Sequence, residues 1–282
     1  MLLVVNVNNT NTMLGLFRPT QEQPGAPPRF DHMIANWRVA TVRSNTADEY
    51  GMLFRNLFGM QKIEMSEVKA VVVSSVVPPL DSTLRDALER YFQIKPIFVE
   101  PGVKTGMPVL VDNPAEVGAD RIVNGVAAFE RYGGPCIVVD IGTAITFDVI
   151  SERGEYLGGA IAPGVGISAE ALFQRTARLP KVDLRRPARV IGTNTVTHIQ
   201  SGLFYGFIGL VDGLLERMIE EMGGGKPKII STGGLANMIA SGSRYIGIVD
   251  ELLTLDGMRI IYERNTGARQ SKKAQSAVEK KA

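Results

Sequence analysis

Asp120 and Arg121 place a carboxylate and a guanidinium side by side in the stretch 114–132, whose apolar spacing predicts a helix. Gly118 stands just before them, and a glycine so early in a helix is costly unless something must approach the backbone closely. A carboxylate in that position suits the role of a base that takes the proton of an attacking hydroxyl. Asp140-Ile141-Gly142-Thr143 lies between two apolar runs, 136–139 and 144–150. A strand that ends Asp-x-Gly-Thr and doubles back presents a carboxylate, bare backbone and a hydroxyl at one point. Phosphate chemistry uses those parts, N–H groups and hydroxyls for oxygens and a carboxylate for a cation. A similar polar turn, Asn6-Val7-Asn8-Asn9-Thr10-Asn11, follows the apolar run 2–5. Thr195 precedes a long predicted helix, where its hydroxyl and the free N–H groups suit an anion, a role compatible with plain capping.

Composition narrows the chemistry. The 282 residues carry 31 Lys and Arg against 29 Asp and Glu, a formal net charge of +2. Residues 267–282 alone contribute +4, through Arg269, Lys272, Lys273, Lys280 and Lys281 against Glu279, leaving the body near −2. The expectation is a solvated, disordered basic tail on a body without a nucleic-acid face. The single cysteine, Cys136, excludes an intrachain disulfide and fits a reducing compartment, as a small buried hydrophobe. Two histidines, His32 and His198, do not supply a structural zinc site or a Ser-His-Asp triad. Acid–base work therefore falls to Asp, Glu, Lys or Tyr. The N-terminus turns polar at Asn6 and lacks a basic leader, so it reads as a strand and not a signal peptide.

These residues need elements to hold them. Strands are expected at 2–5, 12–17, 34–41, 68–73 and 96–99, with helices at 46–58 and 79–91 and a surface loop at 18–31. Thr46 and Glu49 form a capping box for the first helix. After the 114–132 helix the order recurs, with strands at 137–139, 144–150, 155–161, 228–231 and 245–248. Helices are expected there at 166–173, 196–222, 235–239 and 251–261. Two units of like order, each with a polar turn after its first strand, predict a duplicated α/β fold with a central cleft for ligands. In the 196–222 helix Gly202/Gly206 and Gly209/Gly213 are spaced by four. That spacing suits a buried helix or subunit contact, and Gln200 and Asp212 weigh against a membrane span.

Six pieces in order carry a resemblance across the chain to about residue 264: TADE at 46–49, NPAEVGADRIVN at 113–124, DIGTA at 140–144, GGAIAPG at 158–164, GTNT at 192–195 and STGGLA at 231–236. Together they resemble type III pantothenate kinase, of the actin–hexokinase–Hsp70 superfamily. The resemblance implies a ribonuclease-H-like, actin-like ATPase fold of two similar lobes, here 1–111 and 112–266, ahead of the tail 267–282. It implies ATP-dependent phosphorylation of pantothenate to 4'-phosphopantothenate, the first step of coenzyme A biosynthesis, by a cytoplasmic homodimer using Mg²⁺ and a monovalent cation, K⁺ or NH₄⁺. Asp120 takes the place of the family's catalytic base. Val111, Gly118, Ala119, Asp120, Arg121 and Thr195 fall at substrate-binding positions. Asn6, Val7, Asn8, Asn9, Thr10, Asn11, Thr12 and Met13, with Thr143, Gly233 and Gly234, fall at ATP-binding positions. Asp140 falls at the monovalent-cation ligand.

Three positions depart from the family pattern. Its first turn reads Asp-x-Gly-Asn-Thr, whereas this chain has Asn6-Val7-Asn8-Asn9-Thr10. A neutral amide thus replaces a carboxylate near a dication that favours carboxylates, and Asn8 replaces a glycine while tolerating the same left-handed backbone. Val111 stands where the family usually has tyrosine. The departures at Asn6 and Asn8 leave an alternative, a catalytically weak or inactive kinase-like binding or regulatory protein.

Overall fold

A computed structural model describes residues 1–20 and 29–279. In chain order its elements are β1 (Leu2–Val7), β2 (Asn11–Arg18), β3 (His32–Ala40), α1 (Ala47–Met60), β4 (Ala70–Ser75), α2 (Asp81–Phe92), β5 (Ile97–Phe98) and α3 (Ala119–Tyr132). There follow β6 (Cys136–Ile141), β7 (Ala144–Ile150), β8 (Tyr156–Pro163), α4 (Val165–Gln174), α5 (Thr195–Glu221), β9 (Lys228–Thr232), α6 (Ala236–Ala240), β10 (Ile248–Val249) and α7 (Leu253–Glu279). Packing divides the chain into two compact units. The first comprises Met1–Gly106, Asn113–Ala127 and the chain from Thr254 onward; the second comprises Met107–Asp112 and Ala128–Leu253.

The first unit holds a five-stranded sheet in the order β3-β2-β1-β4-β5. β1 is buried along its whole length because it is a central strand, antiparallel to β2 on one side and parallel to β4 on the other. Alternation then sorts its side chains between the two faces. Leu3, Val5 and Val7 join Val71 and Val73 of β4 in a core with Tyr50, Phe54 and Phe58 of α1 and Leu84, Leu88 and Phe92 of α2. Phe54 and Phe58 each meet Phe92 edge-on, and Trp37 stacks on Phe58. The opposite face carries Leu2, Val4 and Asn6. There α7 closes in: Leu255 and Val4 both crowd the space beside Gly15. α3 is fixed to α7 by the Thr254 hydroxyl donating to Asn124 Oδ1 at 2.7 Å, and by Gly257, where the Val123 carbonyl leaves no room for a side chain.

The second unit repeats the plan, β10-β9-β6-β7-β8. Ile137, Val139 and Ile141 of β6 pack with Ile145 and Phe147 of β7 and with Ile199, Phe204, Val211 and Leu215 of α5. The two sheets therefore share one strand order, with β6 to β10 standing for β1 to β5, as the duplicated fold expected from the sequence requires.

Several expectations shift in detail. The predicted 114–132 helix is two pieces, a 3₁₀ turn at Pro114–Glu116 and then α3, because Val117 is extended between them. The expected lobe boundary at 111/112 differs from the packing, which gives residues 113–127 and α7 to the first unit. The expected strand at 245–248 is only Ile248–Val249. The backbone of α7 is helical to Glu279, where a tail without structure was expected from 267; residues 280–282 lie outside the described residues. So does most of the expected 18–31 loop, residues 21–28, although β2 and β3 on either side pair antiparallel. The Thr46–Glu49 capping box forms as expected. Among the described residues no helix is long and apolar enough to cross a membrane.

Candidate active site

In the first unit, Asp120 lies in the first turn of α3, half-buried. Burial pushes its carboxyl above its ordinary value, opposed by the Arg121 backbone N–H, which donates to Asp120 Oδ1 at 2.9 Å, and by the Arg121 charge. Gly118 is explained by this carboxylate: a Cβ there would stand 2.7 Å from Asp120 Oδ1. The glycine thus clears the space the carboxylate occupies. Ala119 opens α3, and Arg121 N–H donates to the Gly118 carbonyl at 3.1 Å. Asn113 supports the approach by accepting from Ala115 N–H at 3.3 Å and donating to Glu116 at 2.7 Å.

The polar turn of the first unit joins β1 to β2. Asn6 and Val7 end β1, Asn8 to Thr10 form the turn, and Asn11, Thr12 and Met13 begin β2. Asn8 N–H donates to the Asn11 carbonyl at 3.0 Å, Thr12 and Thr41 hydroxyls lie 2.9 Å apart, and Arg43 donates to Asn9 Oδ1 at 2.8 Å. Asn6 is 2% exposed, and among the described residues neither Asn6 Oδ1 nor Asn8 Oδ1 has a hydrogen-bond partner. A buried acceptor left unpaired costs about 1–3 kcal/mol.

The second unit builds the counterpart turn around Asp140, at the end of β6. Gly142 N–H donates to the Ala144 carbonyl at 3.0 Å, closing the hairpin, and Gly164 N–H donates to the Thr143 carbonyl at 3.1 Å. Gly233 follows β9 with φ +95°, and a Cβ there would lie 2.5 Å from Asp140 Oδ1 and 2.7 Å from the Ile141 carbonyl. No other residue fits both the left-handed backbone and that approach. Asp140 and Gly233 are thus brought together, with Gly234 exposed beside them and Thr143 exposed at the turn.

Thr195 corrects one expectation. The cap of α5 is Asn194, whose side chain accepts from Thr197 N–H at 3.0 Å while the Thr197 hydroxyl accepts from Asn194 N–H at 3.2 Å. Thr195 is the first helical residue, and it lines a cavity of about 490 Å³ with Leu172, Leu179, His198, Ile199, Gly202 and Leu203. Val111 lies in the short segment of the second unit that pairs with the start of β8, where Leu110 N–H donates to the Tyr156 carbonyl at 2.8 Å. The Tyr156 hydroxyl donates to the fully buried Asp148 at 2.7 Å, anchoring that strand end. Cys136 is buried and its thiol is pushed up to about 12, which removes it as a nucleophile. Among the described residues no three His, Cys, Asp or Glu side chains gather as a metal site.

Sequence reasoning missed Ser74. It is the parallel-strand partner of Asn6, it is fully buried, and its Oγ has no partner among the described residues. Its signal was available in the repeat, since Ser74 stands to Asn6 as Thr232 stands to Asp140.

Two sheets of identical order give the actin-like ATPase fold, shared with solved structures of a dehydratase activator, a dehydratase component and a glucokinase. A conserved Baf family protein from Campylobacter jejuni aligns at 20% identity with a TM-score of 0.57, covering 94% of this chain and 98% of that one. The activator of the 2-hydroxyisocaproyl-CoA dehydratase from Clostridium difficile, with bound ADPNP, aligns at 9% identity with a TM-score of 0.51, covering 97% of each chain. The family follows from sequence: the model of type III pantothenate kinase matches residues 2–217. A type III pantothenate kinase of Koribacter versatilis is 64% identical over 265 residues, 94% of this chain and 96% of that protein. The chain belongs to the type III pantothenate kinase family.

Proposed function

We propose that the chain phosphorylates the primary hydroxyl of pantothenate with ATP, using Asp120 as the base. Family membership supports the reaction, and the half-buried carboxylate in the space cleared by Gly118 is the observation that carries the role of Asp120. As the hydroxyl oxygen attacks the γ-phosphorus, Asp120 accepts its proton and ADP leaves, giving the phosphate monoester. Arg121, Gly118 and Ala119 orient the substrate, and the exposed Thr195 hydroxyl with the N-terminal N–H groups of α5 receives its carboxylate. Val111 gives this part of the site an apolar contact in place of a hydroxyl. Asn6 to Met13, Thr143, Gly233 and Gly234 hold ATP, the last two by bringing bare backbone to the nucleotide.

Mg²⁺, when bound, would supply positive charge that offsets the phosphate charge during transfer. The unpartnered oxygens of Asn6 and Asn8 fit its water shell, because an amide oxygen accepts hydrogen bonds from metal-bound water. Asp140 suits a monovalent cation, K⁺ or NH₄⁺. The non-catalytic alternative gains no support from the relatives.

The same reading includes a cytoplasmic homodimer. Leu157 and Ile161 are exposed on β8, an edge strand, as are Ile167, Leu172 and Phe173 on α4. On α5 the positions of Gly202, Gly206 and Gly209 are open, with no atom within 4 Å of an added Cβ. A second copy covering these apolar and small surfaces removes them from water.

Pantothenate-dependent ADP release with Mg²⁺, in K⁺, NH₄⁺ and Na⁺ salts, tests the activity and the cation together. No release in any salt overturns the reading. Light scattering coupled to gel filtration tests the dimer, and a monomeric mass at the assay concentration overturns it.

A further inference from the structure

Along β7, Ile145, Phe147 and Val149 face the core built with α5, so Asp148 and Ile150 face the other way. Along β8, Ala160 and Ala162 also face that core, and alternation would send Tyr156 with them. It does not, because the pairing slips by one residue: Val149 pairs with Gly158, but Ile150 pairs with Tyr156. Leu157 is the extra residue and is exposed, and Gly158 beside it takes φ +110°. The slip turns Tyr156 to the face of Asp148. There the buried phenol donates to Asp148 Oδ1 at 2.7 Å, and the Thr146 hydroxyl donates to Oδ2 at 3.3 Å.

The backbone of Tyr156 has a second task. Its N–H donates to the Pro108 carbonyl and its carbonyl accepts from Leu110 N–H, both at 2.8 Å, a parallel bridge centred on Val109. Segment 107–112 belongs to the second unit while the chain on either side of it belongs to the first, so this bridge fixes where Val111 stands. Gly158 completes the seat, since a Cβ there would meet Val111 Cγ1 at 3.7 Å. A buried carboxyl–phenol pair carries a desolvation cost that an apolar pair avoids. What it adds is directionality: one ring position satisfies the bond, where apolar packing accepts several.

Resting on the reading of Val111 as a pantothenate contact, we propose that Asp148 and Tyr156 are positioning residues for the substrate segment. Their bond locks the start of β8, and the bridge passes that lock to Val111, so the pair sets affinity for pantothenate and not for nucleotide. Neither residue acts on the substrate directly.

The test uses the full-length protein, with each substrate varied in turn, together with melting temperature and hydrogen exchange at the Leu110 amide. Tyr156→Phe keeps the ring and the backbone and removes only the hydroxyl. It is expected to raise KM for pantothenate and the exchange rate at Leu110 about 10-fold each, the worth of one buried hydrogen bond, with KM for ATP and kcat within about twofold. Asp148→Asn keeps an acceptor oxygen and is expected to rescue, staying within about threefold of the wild type in both readouts. Asp148→Leu is expected to match Tyr156→Phe, and the double variant to add nothing, because both changes break the same bond. Asp212→Asn is the control for stability alone: this second buried carboxyl of the unit holds Ser243 and Arg244, and the variant should melt lower with KM for pantothenate unchanged. An unchanged KM for pantothenate in Tyr156→Phe overturns the proposal, even if Leu110 exchanges faster. So does an equal rise in both KM values, an additive double variant, or a rise in Asp212→Asn as large as that in Tyr156→Phe. ADP release by the wild type is measured first, so its absence counts against the kinase reading, whereas an unmoved KM in an active protein counts against the pair.

Discussion

The two sheets share one topology and differ at the position where their first strands end. In the second unit that position is Asp140, a carboxylate in a turn completed by Gly142, with Gly233 shaped around it. In the first unit it is Asn6, followed by Asn8 where the other turn has glycine, with Ser74 in the place of Thr232. The register pairs Asn6 with Met13 and Asp140 with Thr146, so the two are structural equivalents. Yet one is a carboxyl side chain and the other an amide whose Oδ1, among the described residues, has no hydrogen-bond partner. Duplication preserves backbone register because hydrogen bonding and buried apolar strands enforce it. It does not preserve charge at strand ends, where the ligand decides what is tolerated. The first unit thus combines a neutral turn with a carboxylate on α3, and the second supplies the charged turn.

The largest expected effect tests the assignment of the base to the first unit. Asp120→Asn should lower kcat by about 10³-fold, the range of a lost general base. The same change should leave the melting temperature unchanged or higher, because it removes a carboxylate that burial disfavours in its charged form. A fall in activity matched by unfolding would assign Asp120 a structural role instead.

Charge in the second unit comes next. Asp140→Asn makes that turn neutral, like the first, and should lower kcat/KM by about 10²-fold and abolish the difference between K⁺ and Na⁺ salts. Retained cation selectivity would break the comparison. The opposite exchange, Asn6→Asp, should raise turnover at limiting Mg²⁺ by about 10-fold and matter less at saturating Mg²⁺.

The pH profile sharpens the reading of Asp120. Its pKa in the folded protein is raised, so the active, ionised form is lost as pH falls through a value above the carboxyl's ordinary one. The acid limb of kcat/KM should fall tenfold per pH unit below that point. Arg121→Gln removes an opposing charge and should move the limb to higher pH. For stability the sign is reversed. A raised folded-state pKa favours the folded protein at pH below the unfolded value, and that contribution is lost as pH rises through the folded one. The smallest effect belongs to Val111→Tyr, which should lower KM for pantothenate about fivefold, the worth of one hydrogen bond of about 1 kcal/mol.

Much of this was legible in the chain. The apolar run of β1 and the Thr46–Glu49 box gave elements that formed nearly as expected, since both signals are local. Gly118 pointed to a close approach, though the sequence did not show that the approaching group was the Asp120 carboxylate itself. The cap of α5 was harder, because Asn194, Thr195 and Thr197 are all plausible capping types and only backbone geometry chose Asn194. Ser74 was harder still. A serine at the end of AVVVSS is unremarkable until strand pairing sets it opposite Asn6.

By itself, then, the sequence determined the order of elements, their duplication and the family, because periodicity and motifs are written within short stretches of chain. Tertiary structure alone decided that α7 and the first turns of α3 pack with the first unit, and that Gly233 must accommodate Asp140. It also decided that Asn6 Oδ1, Asn8 Oδ1 and Ser74 Oγ are buried and, among the described residues, without a hydrogen-bond partner. Those facts depend on which distant residues meet. Strand register and helix packing set such meetings through the summed burial of many side chains, which no local stretch encodes.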